Sequence, residues 1–283
     1  MDPPAPCSVA AVRELVAAAL KEDVGAGDLT AEAVVPADAR ARGVIEQREP
    51  GVVAGLGVAR EVFRQLDSDL EFEPVAAPDR WREPGPVARI EGSARAILAG
   101  ERVALNFLGR LSGIATLAAA YVRAVEGTGT TILDTRKTTP GLRELEKAAV
   151  SAGGASNHRA GLYDAILVKE NHAAVAGGVG EATRRALAGA PEGVVVEVEC
   201  ATLGEVGDAL DAGARRILLD NMGEEDLRAA VELARGRAEL EASGGITLAN
   251  VRAVAETGVD YISVGALTHS APALDLSLML EPL

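Results

Sequence analysis

Six short apolar runs recur through the second half of the chain: Thr131–Asp134, Ala165–Lys169, Val194–Glu199, Arg216–Asp220, Glu239–Ser243 and Tyr261–Val264. Each closes on polar residues and each is followed by a helix-like stretch. Near-continuous apolar segments of this length mark strands buried on both faces, and their alternation with helical stretches calls for a parallel sheet covered by helices. If that sheet closes into an α/β barrel, the polar residues ending the runs converge on one rim, where barrels keep their chemistry. Those residues are Asp134-Thr135-Arg136-Lys137, Lys169-Glu170-Asn171, Glu197 and Glu199, Asp220-Asn221 and Ser243-Gly244-Gly245. A doubly wound sheet would carry a Gly-rich turn after its first strand, and none is evident here.

The first half is written in a different style. Ser8 is placed to cap a helix whose apolar positions are Val9, Val12, Val16 and Leu20, and DVGAGDLT supplies the turn after it. Strand-like pieces follow at Gly43–Glu46 and Gly51–Leu56, then a helix around Val58–Leu66 and a Pro/Gly-punctuated region containing Trp81. This mixture predicts an α+β domain. From Ala99 to Val125 a helical pattern runs with an interruption at Leu111-Ser112-Gly113, read here as the passage into a second domain. A chain of 283 residues with 48% hydrophobic content can bury one large or two modest cores. Two domains are expected, residues 1–110 and 111–272.

A net charge of −14 excludes nucleic acid, anionic membrane or any polyanion held by broad surface attraction. An aromatic content of 2% also excludes a stacking platform for bases. Any anionic ligand must therefore be small and locally caged. Cys7 and Cys200 show no disulfide or metal-ligand spacing, so a reducing cytoplasm is the expected compartment. The first twenty residues lack the basic start and apolar core of a secretion signal, and no apolar run reaches the roughly 18 residues needed to span a bilayer.

The cage itself is legible. Asp134 to His172 gathers three of the four lysines and two of the three histidines. Arg136, Lys137, His158, Arg159 and Lys169 offer cationic donors; guanidinium forks suit planar carboxylates, whereas lysine acts as a point charge for phosphate. The plainer alternative pairs these cations with Asp134, Glu170 and their neighbours. Ser243-Gly244-Gly245-Ile246-Thr247 is expected to open a helix, and Gly265 through His269 follows the last run. In barrels, the loops after the last two strands hold phosphate on backbone N–H groups. Glu199 and Asp220 end adjacent strands, where they suit ribose hydroxyls, Mg²⁺ or pairing with the rim cations. No nucleophile motif for acyl chemistry is present.

Beyond these single features, KEDVGAGDLT, GERVALNFLGRLSGIAT, DTRKTTPGLR, GGASNHR, ILVKENH, EVE, LLDN, ASGGI and GVDYISVGALTHS occur in order along essentially the whole chain. Together they resemble the quinolinate phosphoribosyltransferase family, with Cys200 after EVE as a minor departure. The resemblance implies an N-terminal α/β sandwich domain, an incomplete seven-stranded α/β barrel, and a final segment, 273–283, packing back on the first domain. It implies transfer of phosphoribosyl from phosphoribosyl pyrophosphate to quinolinate, with decarboxylation and Mg²⁺, for NAD biosynthesis. Arg136, His158, Arg159 and Lys169 would cage the two carboxylates, with Arg102 donated by the other subunit of a homodimer, with or without further assembly. Lys137 and Lys169 would lie toward the pyrophosphate, Glu199 and Asp220 at the ribose, and Ser243, Gly244, Gly245, Gly265 and His269 at the 5′-phosphate. Two alternatives stand beside it: a nicotinate-type or molybdenum-locus homologue of the same fold, and a non-catalytic phosphoribosyl-binding scaffold.

Overall fold

The computed structural model describes residues 8–77 and 79–283, so Cys7 lies outside the described residues. The elements in the first part are α1 (Val9–Asp23), α2 (Leu29–Val34), β1 (Arg40–Gln47), β2 (Gly51–Val52), α3 (Leu56–Leu66), β3 (Glu71–Pro74), β4 (Trp81–Arg82), β5 (Gly85–Ser93) and α4 (Ala94–Ala124). Then come β6 (Thr131–Leu133), α5 (Arg143–Ala152), β7 (Ile166–Val168), α6 (Glu170–Ala176), α7 (Val179–Gly189), β8 (Val196–Cys200) and α8 (Leu203–Asp211). The last are β9 (Arg216–Asp220), α9 (Glu224–Ala234), β10 (Glu239–Ser243), α10 (Val251–Ala255), β11 (Tyr261–Ser263), α11 (Ala266–His269) and β12 (Leu276–Pro282).

Two compact units form. Of the described residues, one unit holds 8–119 together with Glu144–Gly154 and Ala271–Leu283; the other holds Ala120–Arg143 and Ala155–Ser270. The division into units falls inside α4, which runs unbroken through Leu111-Ser112-Gly113. The small residues there serve close packing. A Cβ on Gly113 would run into the backbone carbonyl of Pro272. Ser112 Oγ accepts the Ala54 N–H at 3.0 Å and Thr116 Oγ1 accepts that of Val52 at 2.9 Å. Those two hydroxyls take backbone donors that a longer sheet would use, which is why the expected strand Gly51–Leu56 shrinks to two residues before α3 begins.

The first unit is built on an antiparallel sheet in the order β12-β1-β5-β3. β1 alternates exposed and buried side chains, so one face feeds the core. Ser8 Oγ accepts the Ala11 N–H and caps α1. On α3, Val58, Ala59, Val62 and Phe63 form the buried stripe, and Phe63 stacks on Phe72 at 6.0 Å. By length and composition α4 could cross a membrane. Instead, its apolar positions, among them Val103, Leu108, Ile114 and Ala118, are buried in protein.

The second unit is a six-stranded parallel sheet in the order β6-β11-β10-β9-β8-β7. All six apolar runs become strands, β9 and β10 over the residues expected. Beyond β6 a single parallel bridge joins Leu133 to Ser156, so the place of the expected seventh strand is held by one residue pair. Just beyond that pair the chain reaches His158 and Arg159, which line the cavity described next.

Candidate active site

The strand ends do converge. A cavity of about 270 Å³ opens at the C-terminal edge of the parallel sheet, lined from β6 by Arg136 and Lys137, from the Ser156 loop by His158 and Arg159, and from β7 by Lys169. Its other wall carries Glu199, Asp220 and Ser243, with Leu167 and Leu218 beneath them. The loop after β6 is fixed by Arg143, whose guanidinium bonds Thr138 Oγ1 at 2.9 Å and the carbonyl of Ala160 at 3.0 Å. Asp134 Oδ1 accepts the His158 N–H at 2.8 Å, so the two cation-bearing loops are tied together from below.

Arg136 and Arg159 face the cavity without a carboxylate in salt-bridge range among the described residues. Arg159 is 6% exposed and spends one nitrogen on the Ala165 carbonyl at 3.1 Å. Burial pushes its guanidinium below the usual arginine range, and the Arg136 charge adds to this against the pull of Asp164 and Glu197. The Nε of Arg136 is buried with no hydrogen-bond partner. In a chain with 42 acidic and 28 basic residues, two adjacent guanidiniums left without a counter-ion define a site for an anion. Pairing with Asp134 or Glu170, the plainer alternative, is absent for both. Lys169 is the exception: it is half exposed and its Nζ lies 3.2 Å from Glu199.

His158 behaves differently from the guanidiniums. Its Nε2 lies 2.7 Å from Glu197 and its Nδ1 accepts the Arg159 N–H at 2.7 Å. A nitrogen that accepts carries no proton, so the ring is the Nε2–H tautomer, donating to Glu197. Both ring nitrogens are thereby engaged within the chain, and the ring lines the cavity as a neutral wall.

Beneath the cavity lies a polar layer of which the sequence pattern singled out only Glu197, expected at the rim but buried below it because Arg216 and His158 pair with it there. Arg216, on β9, bonds Glu197 of β8 at 3.0 Å and Glu241 of β10 at 2.9 Å, and its guanidinium sits 4.0 Å over the Tyr261 ring. The donor atoms of His158, Glu197 and Glu241 lie within 4.8 Å of one another, a spacing compatible with a metal ion. Arg216 already supplies the cation there. Two carboxylates sharing one guanidinium do not ionise alike. Burial raises the Glu197 carboxyl, but the hydrogen bond from His158 and the charge and hydrogen bond of Arg216 outweigh it and leave it below the ordinary value. Burial and then the Glu197 charge push Glu241 up to about 7. The signal for this layer was a charged residue at an inward position of an apolar run, as in Arg216-Ile-Leu-Leu and Glu239-Leu-Glu-Ala.

The remaining expected residues are placed as follows. Gly244 and Gly245 take positive φ, 93° and 63°, and a Cβ on Gly244 would overlap the Asn221 amide. They do not open a helix: a turn at Thr247–Asn250, in which Asn250 Oδ1 accepts the Thr247 N–H, intervenes, and α10 starts only at Val251. Gly265 precedes the single-turn α11, with Lys137 Cδ and His269 Nε2 both 3.1 Å from where its Cβ would stand. Thr268 Oγ1 donates to the Lys137 carbonyl at 2.9 Å, joining these loops. Lys147, the third lysine of the basic cluster, is buried in α5 of the first unit. Arg102 is exposed on α4, also in the first unit.

This site sits in a chain with close relatives. The quinolinate phosphoribosyl transferase N-terminal domain matches residues 28–112 and the corresponding C-terminal domain matches residues 114–279. The chain is 43% identical over 290 residues to the chloroplastic nicotinate-nucleotide pyrophosphorylase [carboxylating] of rice, covering 95% of this chain and 78% of that one. It is 41% identical to the mitochondrial quinolinate phosphoribosyltransferase [decarboxylating] 2b of Nicotiana tabacum, covering 95% and 82%. The structure of the nicotinate-nucleotide pyrophosphorylase from Francisella tularensis superposes with a TM-score of 0.95 at 39% identity, over 99% of this chain and 100% of that one. With both domains matched in order and the strand ends gathered around one anion cavity, the chain belongs to the quinolinate phosphoribosyltransferase family.

Proposed function

We propose that this cavity binds quinolinate beside phosphoribosyl pyrophosphate and joins them with loss of CO₂, giving nicotinate mononucleotide and pyrophosphate for NAD synthesis. The observation that carries the substrate reading is the pair of adjacent guanidiniums, buried Arg159 and half-buried Arg136 with its Nε enclosed, without a salt-bridged carboxylate among the described residues. A dianionic planar acid matches two forks. Lys169 completes the cage, and His158 bounds the ring as a neutral wall with its tautomer held by Glu197. Lys137 and Lys169 stand at the exposed side, toward the pyrophosphate. Glu199 and Asp220 face the ribose, and Ser243, Gly244, Gly245, Gly265 and His269 offer the 5′-phosphate their loops.

Displacement at the anomeric carbon builds positive charge on the sugar and negative charge on the departing pyrophosphate, so fixed cations at Lys137 and Lys169 stabilise the transition state more than the ground state. Glu199 and Asp220 stabilise the sugar side in the same way. Once the ring nitrogen is alkylated, its positive charge stabilises the electron pair left at the neighbouring carbon when CO₂ departs. The half-buried carboxylates of Glu199 and Asp220 at the cavity mouth are hard oxygen donors that fit Mg²⁺ carried with the sugar phosphate. That ion would neutralise charge on the leaving pyrophosphate.

We also place the enzyme in the cytoplasm as a homodimer. Arg102 points to the dimer, because an exposed arginine within the family-like GERVALN segment can complete a neighbouring copy's cage. The test is direct. Purified protein given quinolinate, phosphoribosyl pyrophosphate and Mg²⁺ releases pyrophosphate and CO₂ in equal amounts, and stops in excess chelator. Turnover of nicotinate at the same rate as quinolinate would overturn the diacid assignment.

A further inference from the structure

Glu241 is buried completely, yet it lines the cavity one layer below Ser243. Its Oε2 is taken by Arg216 at 2.9 Å, and its Oε1 is buried with no hydrogen-bond partner. A buried carboxyl oxygen left unsatisfied costs free energy unless a ligand or a proton completes it. An ionised Glu241 would also repel a dianion entering above it. A protonated one does the opposite, since a carboxylic acid is a donor as well as an acceptor.

We propose that Glu241 binds substrate as a neutral acid, its Oε1 donating a hydrogen bond from the cavity floor to a carboxylate of the diacid. The inference rests on the quinolinate reading above and deepens it: the cage holds its ligand by one neutral donor as well as by cations. The groups packed around Glu241 agree. Glu197 on β8 bears the negative charge, Arg216 on β9 satisfies Oε2, Tyr261 on β11 covers Arg216, and His158 directs its one proton to Glu197. None of them supplies Oε1. With the empty site titrating at about 7, the carboxyl is mostly ionised at pH 8 and must take up a proton as the diacid enters. Quinolinate cannot bring that proton, because both its carboxyls are ionised there.

Calorimetric titration of the whole protein with quinolinate, in two buffers of different ionisation enthalpy, reads that proton. Uptake of about one proton per site at pH 8, little at pH 6, and affinity falling by up to about tenfold per unit above pH 7 are expected. Glu241→Gln keeps a donor amide and cannot titrate, so it should bind at pH 6 within a few-fold of the parent, with no uptake at pH 8. Uptake that persists in Glu241→Gln places the proton elsewhere, on His158 for instance, and overturns the proposal. Binding by the parent protein without uptake at pH 8 overturns it alone; no binding at any pH overturns the substrate reading with it. Should Glu241→Gln fail to fold, difference infrared spectra of ¹³C-glutamate-labelled parent protein decide the matter. A protonated-carboxyl band appearing with quinolinate at pH 8 supports the proposal, and its absence overturns it.

Discussion

His158 Nε2 and Glu197 stand 2.7 Å apart, and the other ring nitrogen accepts the Arg159 N–H. The imidazole is thus spoken for on both sides, which leaves the arginines to meet the ligand's charge. Long-range ¹⁵N–¹H spectra of histidine-labelled protein should show His158 as the Nε2–H tautomer in the unliganded state. A proton on Nδ1 would contradict the arrangement.

Arg136→Met should separate stability from function. The substitution removes one of two adjacent guanidiniums lacking a counter-ion, so the midpoint of thermal unfolding should rise by about 2 °C while the KM for quinolinate rises roughly a hundredfold or more. A lower melting temperature would mean that Arg136 holds the fold together.

Arg216→Met leaves Glu197 and Glu241 facing each other in the interior. Breaking a buried pair from one side costs about 3–5 kcal/mol, measurable by urea unfolding. Adding Glu197→Gln and Glu241→Gln to that variant should recover a large part of the loss. If the single substitution costs less than about 1 kcal/mol, the layer is not the rigid floor described.

Glu241 also leaves a signature in stability. Its carboxyl titrates at about 7 when folded, against 4.5 as a free side chain. Between those values the folded protein binds more protons than the unfolded chain, so this residue's contribution falls as pH rises through the window, with a slope up to about 1.4 kcal/mol per unit. Subtracting the Glu241→Gln stability curve from that of the parent should isolate the decline. A flat or rising difference between pH 5 and 7 would rule it out.

Mixing Arg102→Ala with Arg136→Ala protein tests the shared site. If each cage takes its Arg102 from the other subunit, a hybrid dimer has one intact site and one doubly damaged one. Random exchange makes half the dimers hybrid, so activity should recover to about a quarter of the parent value per chain. Verified exchange with no recovery would remove Arg102 from the partner's site.

What could be read from the sequence followed from how locally each signal is encoded. β9 and β10 are legible because Arg216–Asp220 and Glu239–Ser243 are dense apolar runs closed by a polar residue. β5 was hidden, since Gly85, Pro86 and Gly92 punctuate it as a loop would be punctuated, and its order comes from pairing with β1. The break suspected at Leu111-Ser112-Gly113 reflects packing against distant residues, which no local pattern encodes. In the site, Arg136 and Lys169 were visible as charges following strands, and Arg159 as part of the basic cluster between them. Glu241 was not, because its meaning depends on Arg216 and Glu197 on neighbouring strands.

The pairing of β12 with β1 bears on how the protein is made. β1 emerges early from the ribosome, but the strand that covers its edge is translated only after every strand of the parallel sheet. Until then, the row of backbone donors and acceptors on β1 lies open to any passing strand, its own or another chain's. The nascent polypeptide therefore carries an uncompleted sheet through most of its synthesis, and chaperone occupancy during translation should concentrate on that interval.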